Sequence, residues 1–309
     1  MLCRHYASAR VFRSIPLLVL SLLLTFGCVP TIPEDDFLEV ASEFALAPEQ
    51  SFDQLKIVFG MPFVPTVDNP GEINLAFEEE LVRTADGELL RVWYIPRQDA
   101  RGTLVFSNGA VGDISCYLLI ALLLRGNGYS VVLYDYRGFR GSTGTADLTA
   151  VGTDLDAVLD WTLARTGESS VTLMGVSVGT IPTVAAAASR PDDVNAIVLD
   201  GAISLRHEIK RFAALLDGPP EDYVAQFDDS LLLDEQIGAV TQPMLVFTYG
   251  LDEYATSAVV PRITAQTRAA LTVYDFPTLA HARGPYLRTE EYAGVLAGFF
   301  DACHGASGE

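Results

Sequence analysis

Histidine, cysteine and basic residues are scarce in this chain. Its 309 residues include 4 His, 4 Cys and 20 Lys or Arg against 40 Asp or Glu, which gives a formal net charge of -20. Such an acidic chain does not bind nucleic acid through counterion release, and no cluster of Lys and Arg makes a local exception. The His and Cys residues show no spacing typical of metal ligands, so the sequence predicts neither a metal nor an organic cofactor.

A hydrophobic stretch long enough to cross a membrane is also missing. The apolar run near the N-terminus, Ile15–Phe26, is clearly shorter than the about 20 residues that a spanning helix needs. Three arginines, Arg4, Arg10 and Arg13, precede it. A short apolar run after a positively charged leader is typical of a secretory signal peptide, which we assign to residues 1–27.

The residue after this leader, Cys28, is a candidate for lipid attachment. Thr25-Phe26-Gly27-Cys28 resembles the lipobox of bacterial lipoproteins, in which a branched aliphatic residue usually replaces Thr25 and a small one replaces Phe26. We expect a lipid on Cys28 to tether the exported protein to a membrane of the bacterial cell envelope. Ordinary cleavage nearby and an uncleaved anchor are the alternatives, and both also take the chain out of the cytoplasm.

The composition of the remaining chain predicts a globular domain. Hydrophobic residues make up 50% of the sequence and charged residues 19%, which provides enough apolar surface for a large core. Beyond Cys28, only Cys116 and Cys303 remain. They are either buried free thiols or a disulfide pair, which export permits, and the sequence leaves both alternatives open.

Residues 28–71 differ in composition from the residues that follow. They are acidic, and Pro48, Pro62, Pro65 and Pro70 interrupt them. This composition predicts an N-terminal spacer with one short helix near Asp53–Phe59. Residues 72–303 then carry the alternating patterns of a single folded domain.

The domain begins with a predicted β-hairpin and continues as a parallel sheet. Runs of strand-forming residues at Leu75–Arg83 and Glu88–Ile95 flank Ala85-Asp86-Gly87, a turn signal typical of an antiparallel hairpin. Six short apolar runs follow, a form typical of strands buried on both faces. These runs are Thr103–Ser107, Ser130–Tyr134, Val171–Met174, Ala196–Asp200, Met244–Thr248 and Leu271–Asp275.

Helical patterns alternate with these runs. The clearest covers Asp147–Arg165, and others cover Ser115–Leu124, an alanine-rich segment around Ala185, and Glu290–Ala302. This alternation predicts an α/β fold, with a mostly parallel sheet, helices on both faces and right-handed crossovers. The one long interruption, Ile203–Gln242, is interpreted as a short helical cap inserted over the strand ends, where substrate choice would be decided.

The most informative motif is Gly175-Val176-Ser177-Val178-Gly179. An apolar run precedes this GxSxG pattern and a helical segment follows it, which is the context of a nucleophilic serine on a tight strand-to-helix turn. Ligands of parallel sheets bind beyond the carboxyl ends of the strands, and Ser177 falls at that edge. A glycine-rich turn with an incidental serine is the simpler alternative.

A serine hydroxyl becomes a good nucleophile only when a base takes its proton and an acid orients that base. Of the histidines, His207 lies among charged residues on a helical face that we expect to be solvated, and His304 lies in the tail after the last helix. His281 follows the Leu271–Asp275 strand in a loop at the same sheet edge as Ser177. We therefore predict that His281 is the base.

Three carboxylates are candidates for the acid that orients His281. Asp252 lies in the loop after the Met244–Thr248 strand and is the preferred residue. Glu253 is adjacent and could reach further, and Asp200 ends the preceding strand. For each of them the simpler alternative is a loop carboxylate that faces water.

The order serine, acid, histidine along the chain is itself typical of one class of triad enzymes. The segment Asp135–Gly144, DYRGFRGSTG, is similar to a DYRGFGxSxG-like segment of serine hydrolases, with Arg140 as an extra residue. On these motifs, residues 75–302 resemble the α/β-hydrolase superfamily. The resemblance implies the α/β-hydrolase fold with an antiparallel N-terminal hairpin and a short helical cap.

The resemblance also implies an oxyanion hole. Relatives often have a His-Gly pair after the third strand, and the next residue donates a backbone N–H. The matching residues here are Asn108-Gly109-Ala110. The N–H groups of Ala110 and Val178 would therefore stabilise the developing negative charge.

Together these features predict a carboxylesterase-like serine hydrolase that acts on a small acyl compound through Ser177, His281 and Asp252. The alternative is a non-catalytic lipoprotein of the same fold that binds a ligand or assists assembly. Two departures from the family pattern favour this alternative. They are Asn108 in place of the usual His, and a Gly250-to-Asp252 spacing that is one residue shorter than is common.

Overall fold

The computed structural model describes residues 33–46, 67–110, 112–254 and 259–305. The predicted signal peptide, Cys28 and the predicted helix near Asp53–Phe59 lie outside these residues. Among the residues described, no helix combines the length and the hydrophobicity needed to cross a bilayer.

Within the described residues, eight strands form one sheet in the order β1-β2-β4-β3-β5-β6-β7-β8. Strand β2 pairs antiparallel with β1 and β4, and all other neighbours are parallel. The predicted mostly parallel sheet with an antiparallel N-terminal hairpin is therefore confirmed. The strands are β1 (Glu78–Arg83), β2 (Leu89–Ile95), β3 (Thr103–Ser107), β4 (Ser130–Tyr134), β5 (Val171–Val176), β6 (Val194–Asp200), β7 (Met244–Tyr249) and β8 (Leu271–Phe276).

Helices pack on both faces of the sheet, as predicted. In β3, Val105 joins one core cluster, while Leu104 and Phe106 join the other, because successive side chains of a strand point to opposite faces. The first cluster includes apolar side chains of α3 and α4, and the second includes those of α2 and α10. The helices are α1 (Phe37–Ala45), α2 (Leu118–Gly126), α3 (Val151–Thr166), α4 (Thr180–Ser189), α5 (Leu205–Arg211), α6 (Pro220–Val224), α7 (Leu233–Gln236), α8 (Val259–Gln266), α9 (Gly284–Leu287) and α10 (Thr289–Gly305).

The long interruption between β6 and β7, residues 203–242, contains the three short helices α5, α6 and α7. Buried side chains from this insertion, among them Ile209, Tyr223 and Leu233, belong to the same core cluster as α3 and α4. Helix α5 packs against α6, and α7 packs against α4. The insertion is therefore fixed to the helix that follows the GxSxG turn.

The structure differs from the predicted spacer at α1. Phe37 is 6% exposed, and its ring meets the rings of Tyr223 and Phe227 edge-on, with centroids 4.9 Å and 6.0 Å away. Within the predicted spacer, α1 therefore packs on the insertion. The acidic residues around the helix concealed its single apolar face in the sequence.

Arg137, in the segment that resembles the hydrolase motif, joins three parts of the fold. Its Nε and Nη2 donate to Oδ1 of Asp154 in α3 at 2.8 Å and 2.7 Å. Its Nη1 donates to Oδ2 of Asp86, in the hairpin turn, at 2.6 Å. Because Asp154 is fully buried, the guanidinium balances a carboxylate that water does not reach. Arg137 thus connects the loop after β4 to α3 and to the N-terminal hairpin.

Candidate active site

The GxSxG motif forms a tight turn from β5 into α4. Strand β5 ends at Val176, and residues 177–179 form one 3-10 turn before α4 begins. A Cβ atom on Gly175 would lie 2.2 Å from the carbonyl oxygen of Gly179, and one on Gly179 would lie 2.1 Å from that of Ser107. Both glycines are thus required because the backbone passes too closely for any side chain.

Ser177 occupies the tip of this turn in a left-handed conformation, with a φ of 55°. This region is uncommon for a residue other than glycine, and strain of this kind clusters at functional sites. The Ser177 carbonyl accepts a hydrogen bond from Thr180 Oγ1 at 2.6 Å, and that hydroxyl accepts one from Ile203 N at 3.1 Å. The turn is therefore connected to the first residue of the insertion.

His281 pairs with Asp252. The His281 Nδ1 atom lies 2.7 Å from Asp252 Oδ2, and the two side chains are 16% and 1% exposed. The other carboxylate oxygen, Oδ1, accepts a hydrogen bond from Tyr254 N at 2.8 Å. His281 Nε2 is buried and has no hydrogen-bond partner in the described parts of the chain. This nitrogen is therefore available to a group that enters the site.

The His281 ring lies over the end of the strand next to that of Ser177. A Cβ atom on Gly201, the residue after β6, would lie 2.6 Å from His281 Cε1. The last residue of β6, Asp200, is paired in register with Val176, and neighbouring strands are about 4.8 Å apart. The two predicted residues, Ser177 and His281, thus occupy adjacent positions at one edge of the sheet.

Of the three candidate acids, Asp252 is the one that contacts His281. Glu253 is exposed, and its backbone carbonyl accepts a hydrogen bond from Arg211. Asp200 is fully buried and accepts hydrogen bonds from the hydroxyls of Tyr249 at 2.6 Å and Tyr292 at 2.7 Å. Burial raises the pKa of Asp200 to about 6. Both of its oxygens are thus used within the core.

The loop after β3 lies against Ser177. A Cβ atom on Gly109 would lie 3.5 Å from Ser177 Cβ and 3.1 Å from the Tyr117 hydroxyl. Ala110 follows Gly109 directly, and Val178 follows Ser177. Asn108, which stands where relatives often have His, is fully buried, and its backbone carbonyl accepts a hydrogen bond from the Tyr136 hydroxyl at 3.0 Å.

A buried carboxylate, that of Asp135, accepts a hydrogen bond from the backbone of the residues that follow this loop. Asp135, the residue after β4, is 0% exposed, and its Oδ1 accepts a hydrogen bond from Ile114 N at 2.9 Å. Its Oδ2 has no hydrogen-bond partner among the described residues, although Arg91 Nη1 lies 3.7 Å away. Burial, reinforced by the charge of Asp113, raises the pKa of Asp135 to about 7. The loop is thus anchored to the end of the neighbouring strand.

No disulfide joins Cys116 and Cys303 in the part of the chain that the structure describes. Burial raises the pKa of the Cys116 thiol to about 12, which makes it a poor nucleophile. Across the four described ranges, no group of three or more His, Cys, Asp or Glu side chains is suited to hold a metal ion.

Glu208 lies in α5 next to His207, on the helical face that was predicted to be solvated. Its side chain is only 16% exposed, and its Oε1 is buried. Burial raises the pKa of Glu208 to about 7, and the charges of His281 and Asp252 also act on it. Its burial is hard to predict from the sequence, because three of its near neighbours on the helix are basic.

Comparison with known proteins agrees with the architecture. The family model described as alpha/beta hydrolase fold matches residues 102–236. An uncharacterized protein of Mycobacterium tuberculosis strain H37Rv is 26% identical over 237 residues, which cover 74% of this chain and 80% of that protein. The lysophosphatidylserine lipase ABHD12 of Xenopus tropicalis is 28% identical over 148 residues, which cover 48% of this chain and 34% of that protein.

Among solved structures, the esterase Pf2001 of Pyrococcus furiosus superposes with a TM-score of 0.64 at 16% identity, over 78% of this chain and 96% of that chain. At this identity the likeness shows the fold alone. The strand order, the family match and the structural neighbours together show that the chain has the α/β-hydrolase fold.

Proposed function

We propose that this protein is a serine hydrolase that cleaves carboxylic esters through Ser177, His281 and Asp252. The observation that carries the proposal is the hydrogen bond of 2.7 Å between Asp252 and His281 Nδ1. The other ring nitrogen, Nε2, is buried without a partner among the described residues, and it lies at the same edge of the sheet as Ser177, which has a strained backbone. A carboxylate on Nδ1 fixes the tautomer in which Nε2 accepts a proton.

In the first half of the reaction, Ser177 Oγ attacks the ester carbonyl carbon while His281 Nε2 takes the hydroxyl proton. The carbonyl oxygen becomes negative, and the N–H groups of Ala110 and Val178 stabilise it. The bond to the alcohol oxygen then breaks, and His281 returns the proton to that oxygen. The products are a free alcohol and an acyl group on Ser177.

In the second half, water takes the place of the alcohol. His281 removes a proton from the water as its oxygen attacks the acyl carbon, and the same N–H groups stabilise the second tetrahedral intermediate. When the bond to Ser177 Oγ breaks, His281 returns the proton to the serine. The carboxylic acid leaves and the enzyme is restored, with no cofactor in the sequence of steps.

The names of similar proteins support esters as the substrate class. The P. furiosus neighbour is an esterase, and the X. tropicalis relative is a lysophosphatidylserine lipase. Neither name assigns a substrate to this chain. The acyl chain and the alcohol have to be found by a panel of esters.

The test is covalent labelling of the folded domain with a fluorophosphonate probe. We expect labelling of wild type, none of Ser177→Ala, and unchanged labelling of Ser189→Ala, which alters an exposed serine at the far end of α4. Asp252→Asn should slow labelling strongly, whereas Glu253→Gln should not. Absence of labelling in folded wild type, together with no hydrolysis of any ester, would favour a non-catalytic binding protein.

We also propose that the reaction takes place at the cell envelope, on a chain anchored through a lipid on Cys28. This proposal rests on the charged leader and on the apolar run before Cys28. Mass spectrometry of the mature N-terminal peptide from a bacterial membrane fraction tests it. A lipid-modified Cys28 supports the proposal, and a mature chain that begins elsewhere contradicts it.

A further inference from the structure

Glu208 in α5 is a buried carboxylate that the proposed reaction does not use. Its Oε2 lies 3.0 Å from Arg211 Nη2, whereas its Oε1 is buried without a hydrogen-bond partner among the described residues. A buried carboxylate oxygen that lacks a donor is costly in free energy. A donor on a bound molecule would remove this cost, so Oε1 is suited to bind one.

A series of contacts places Glu208 near the proposed base. The guanidinium carbon of Arg211, which pairs with Glu208, lies 5.5 Å from the centre of the Tyr254 ring. The Tyr254 ring in turn meets the His281 ring edge-on, with centroids 5.3 Å apart. The charges of His281 and Asp252 both act on the Glu208 carboxyl. Glu208 therefore belongs to the cluster of side chains around His281.

This position indicates which half of an ester Glu208 would meet. In the proposed mechanism His281 gives its proton to the alcohol oxygen, so the alcohol part of the ester must lie beside His281. The carbonyl oxygen instead points to the loop that contains Gly109, which lies against Ser177. Side chains near His281 are therefore candidates to contact the alcohol part.

We propose that Glu208 Oε1 accepts a hydrogen bond from a donor on the alcohol part, so that the protein selects esters whose alcohol carries a hydroxyl or an ammonium group near the ester oxygen. The proposal rests on the esterase function proposed above. The net charge of -20 attracts cations from solution. Arg211 balances the carboxylate locally, so both kinds of donor match the chemistry of Oε1.

Two pairs of butyrate esters of nearly equal shape test this selection. One pair is 2-hydroxyethyl and propyl butyrate, in which a hydroxyl replaces a methyl group. The other is 2-(dimethylamino)ethyl and 3-methylbutyl butyrate, in which a protonated amine replaces a CH group. Assays at pH 8 keep Glu208 largely ionised, because its pKa is about 7. A preference in the first pair indicates a hydroxyl ligand, and one in the second an ammonium ligand.

The informative variant is Glu208→Gln. Arg211 offers only donors, so the amide oxygen of the new side chain should face Arg211, and its NH₂ group should replace the Oε1 acceptor. The matched control is Glu221→Gln, which removes one carboxylate from the same insertion, where Glu221 pairs with Lys210 and Arg206 at the surface.

We expect wild type and Glu221→Gln to prefer the donor ester of at least one pair by about tenfold or more in kcat/KM, the size of a hydrogen bond to a charged group. Glu208→Gln should abolish this preference, mainly through KM, and should change kcat/KM for the donor-free esters less than about twofold. Equal loss on all four esters would show a merely structural role, and an unchanged preference would show that another group binds the donor.

Failure of this proposal is distinguishable from failure of the proposed function. Hydrolysis of propyl butyrate by wild type that Ser177→Ala lacks secures the esterase function, whatever the result for Glu208. In that case, wild type that treats both members of each pair alike overturns the role of Glu208 alone. Wild type that takes the fluorophosphonate label but hydrolyses none of the four esters overturns the role of Glu208 in selecting them, and wild type that does neither overturns both.

Discussion

Gly201→Ala should lower kcat about 100-fold while leaving the protein folded. The backbone at Gly201 has a φ of 63°, a left-handed conformation that costs an L-residue about 1 to 2 kcal/mol. The new Cβ would lie 2.6 Å from His281 Cε1, whereas ordinary contacts begin at 3.4 Å. The His281 ring therefore has to move by about 0.8 Å. A displacement of about 1 Å at a reacting group lowers a rate about 100-fold.

Gly167→Ala is the matched control, because it adds the same backbone strain as Gly201→Ala without moving the His281 ring. Gly167 caps the C-terminus of α3 with a φ of 73°, and nothing lies within 4 Å of the Cβ that alanine would add. Both substitutions should lower the free energy of unfolding by about 1 to 2 kcal/mol. This corresponds to a fall in melting temperature of about 2 to 8 °C for a domain of this size. Only Gly201→Ala should also lower kcat.

The assay is steady-state hydrolysis of a chromogenic butyrate ester, with thermal unfolding followed by circular dichroism on the same samples. The expected result is a kcat for Gly201→Ala about 100-fold below that of Gly167→Ala, at similar melting temperatures. A kcat within twofold of the control would refute the reasoning. It would mean that His281 is not needed at the position where Gly201 holds it.

Two further predictions concern buried charges. Burial raises the pKa of Asp135 to about 7 in the folded protein, whereas in the unfolded chain it is about 4. The protonated carboxyl therefore stabilises the fold fully below about pH 4, and this stabilisation is lost as the pH rises through about 7. Asp135→Asn keeps the acceptor for Ile114 N but cannot ionise. Its melting temperature should therefore exceed that of wild type by more at pH 8 than at pH 5. An equal difference at the two pH values would contradict this. Arg137→Met removes the charge that balances buried Asp154 and should cost about 3 kcal/mol in urea unfolding. Arg165→Met, at an exposed ion pair, should cost much less.

Much of the fold is predictable because its central strands are short, continuous apolar runs in the sequence. Strands β3 and β4 were predicted with their observed bounds, since every residue in them is buried and apolar side chains run without interruption. The hairpin was predicted from its Asp-Gly turn. Helix α1 was missed because its apolar face is short and its partners, Tyr223 and Phe227, lie almost 190 residues away in the sequence. Only the tertiary structure brings that face and its partners together.

The placement of the candidate site is predictable because it follows from the order and direction of the strands. Ser177, His281 and Asp252 each follow a parallel strand, and the carboxyl ends of parallel strands meet at one edge of a sheet. The choice among three carboxylates was not predictable, because it depends on a turn of a few residues. Asp252 N donates to Tyr249 O at 3.1 Å, which fixes the loop so that Asp252, and not its neighbour Glu253, points towards His281.

The strained geometry of the site depends on the stability of the surrounding core. Ser177 at a positive φ costs about 1 to 3 kcal/mol, and this cost is tolerated because the elements on both sides are buried. Every residue of β5 and most residues of α4 are buried, and each large apolar side chain there contributes about 1.5 to 3 kcal/mol. The turn has no freedom to relax while both elements remain packed. Substitutions that loosen α4 against the insertion should therefore reduce activity before they unfold the domain, because the turn relaxes first.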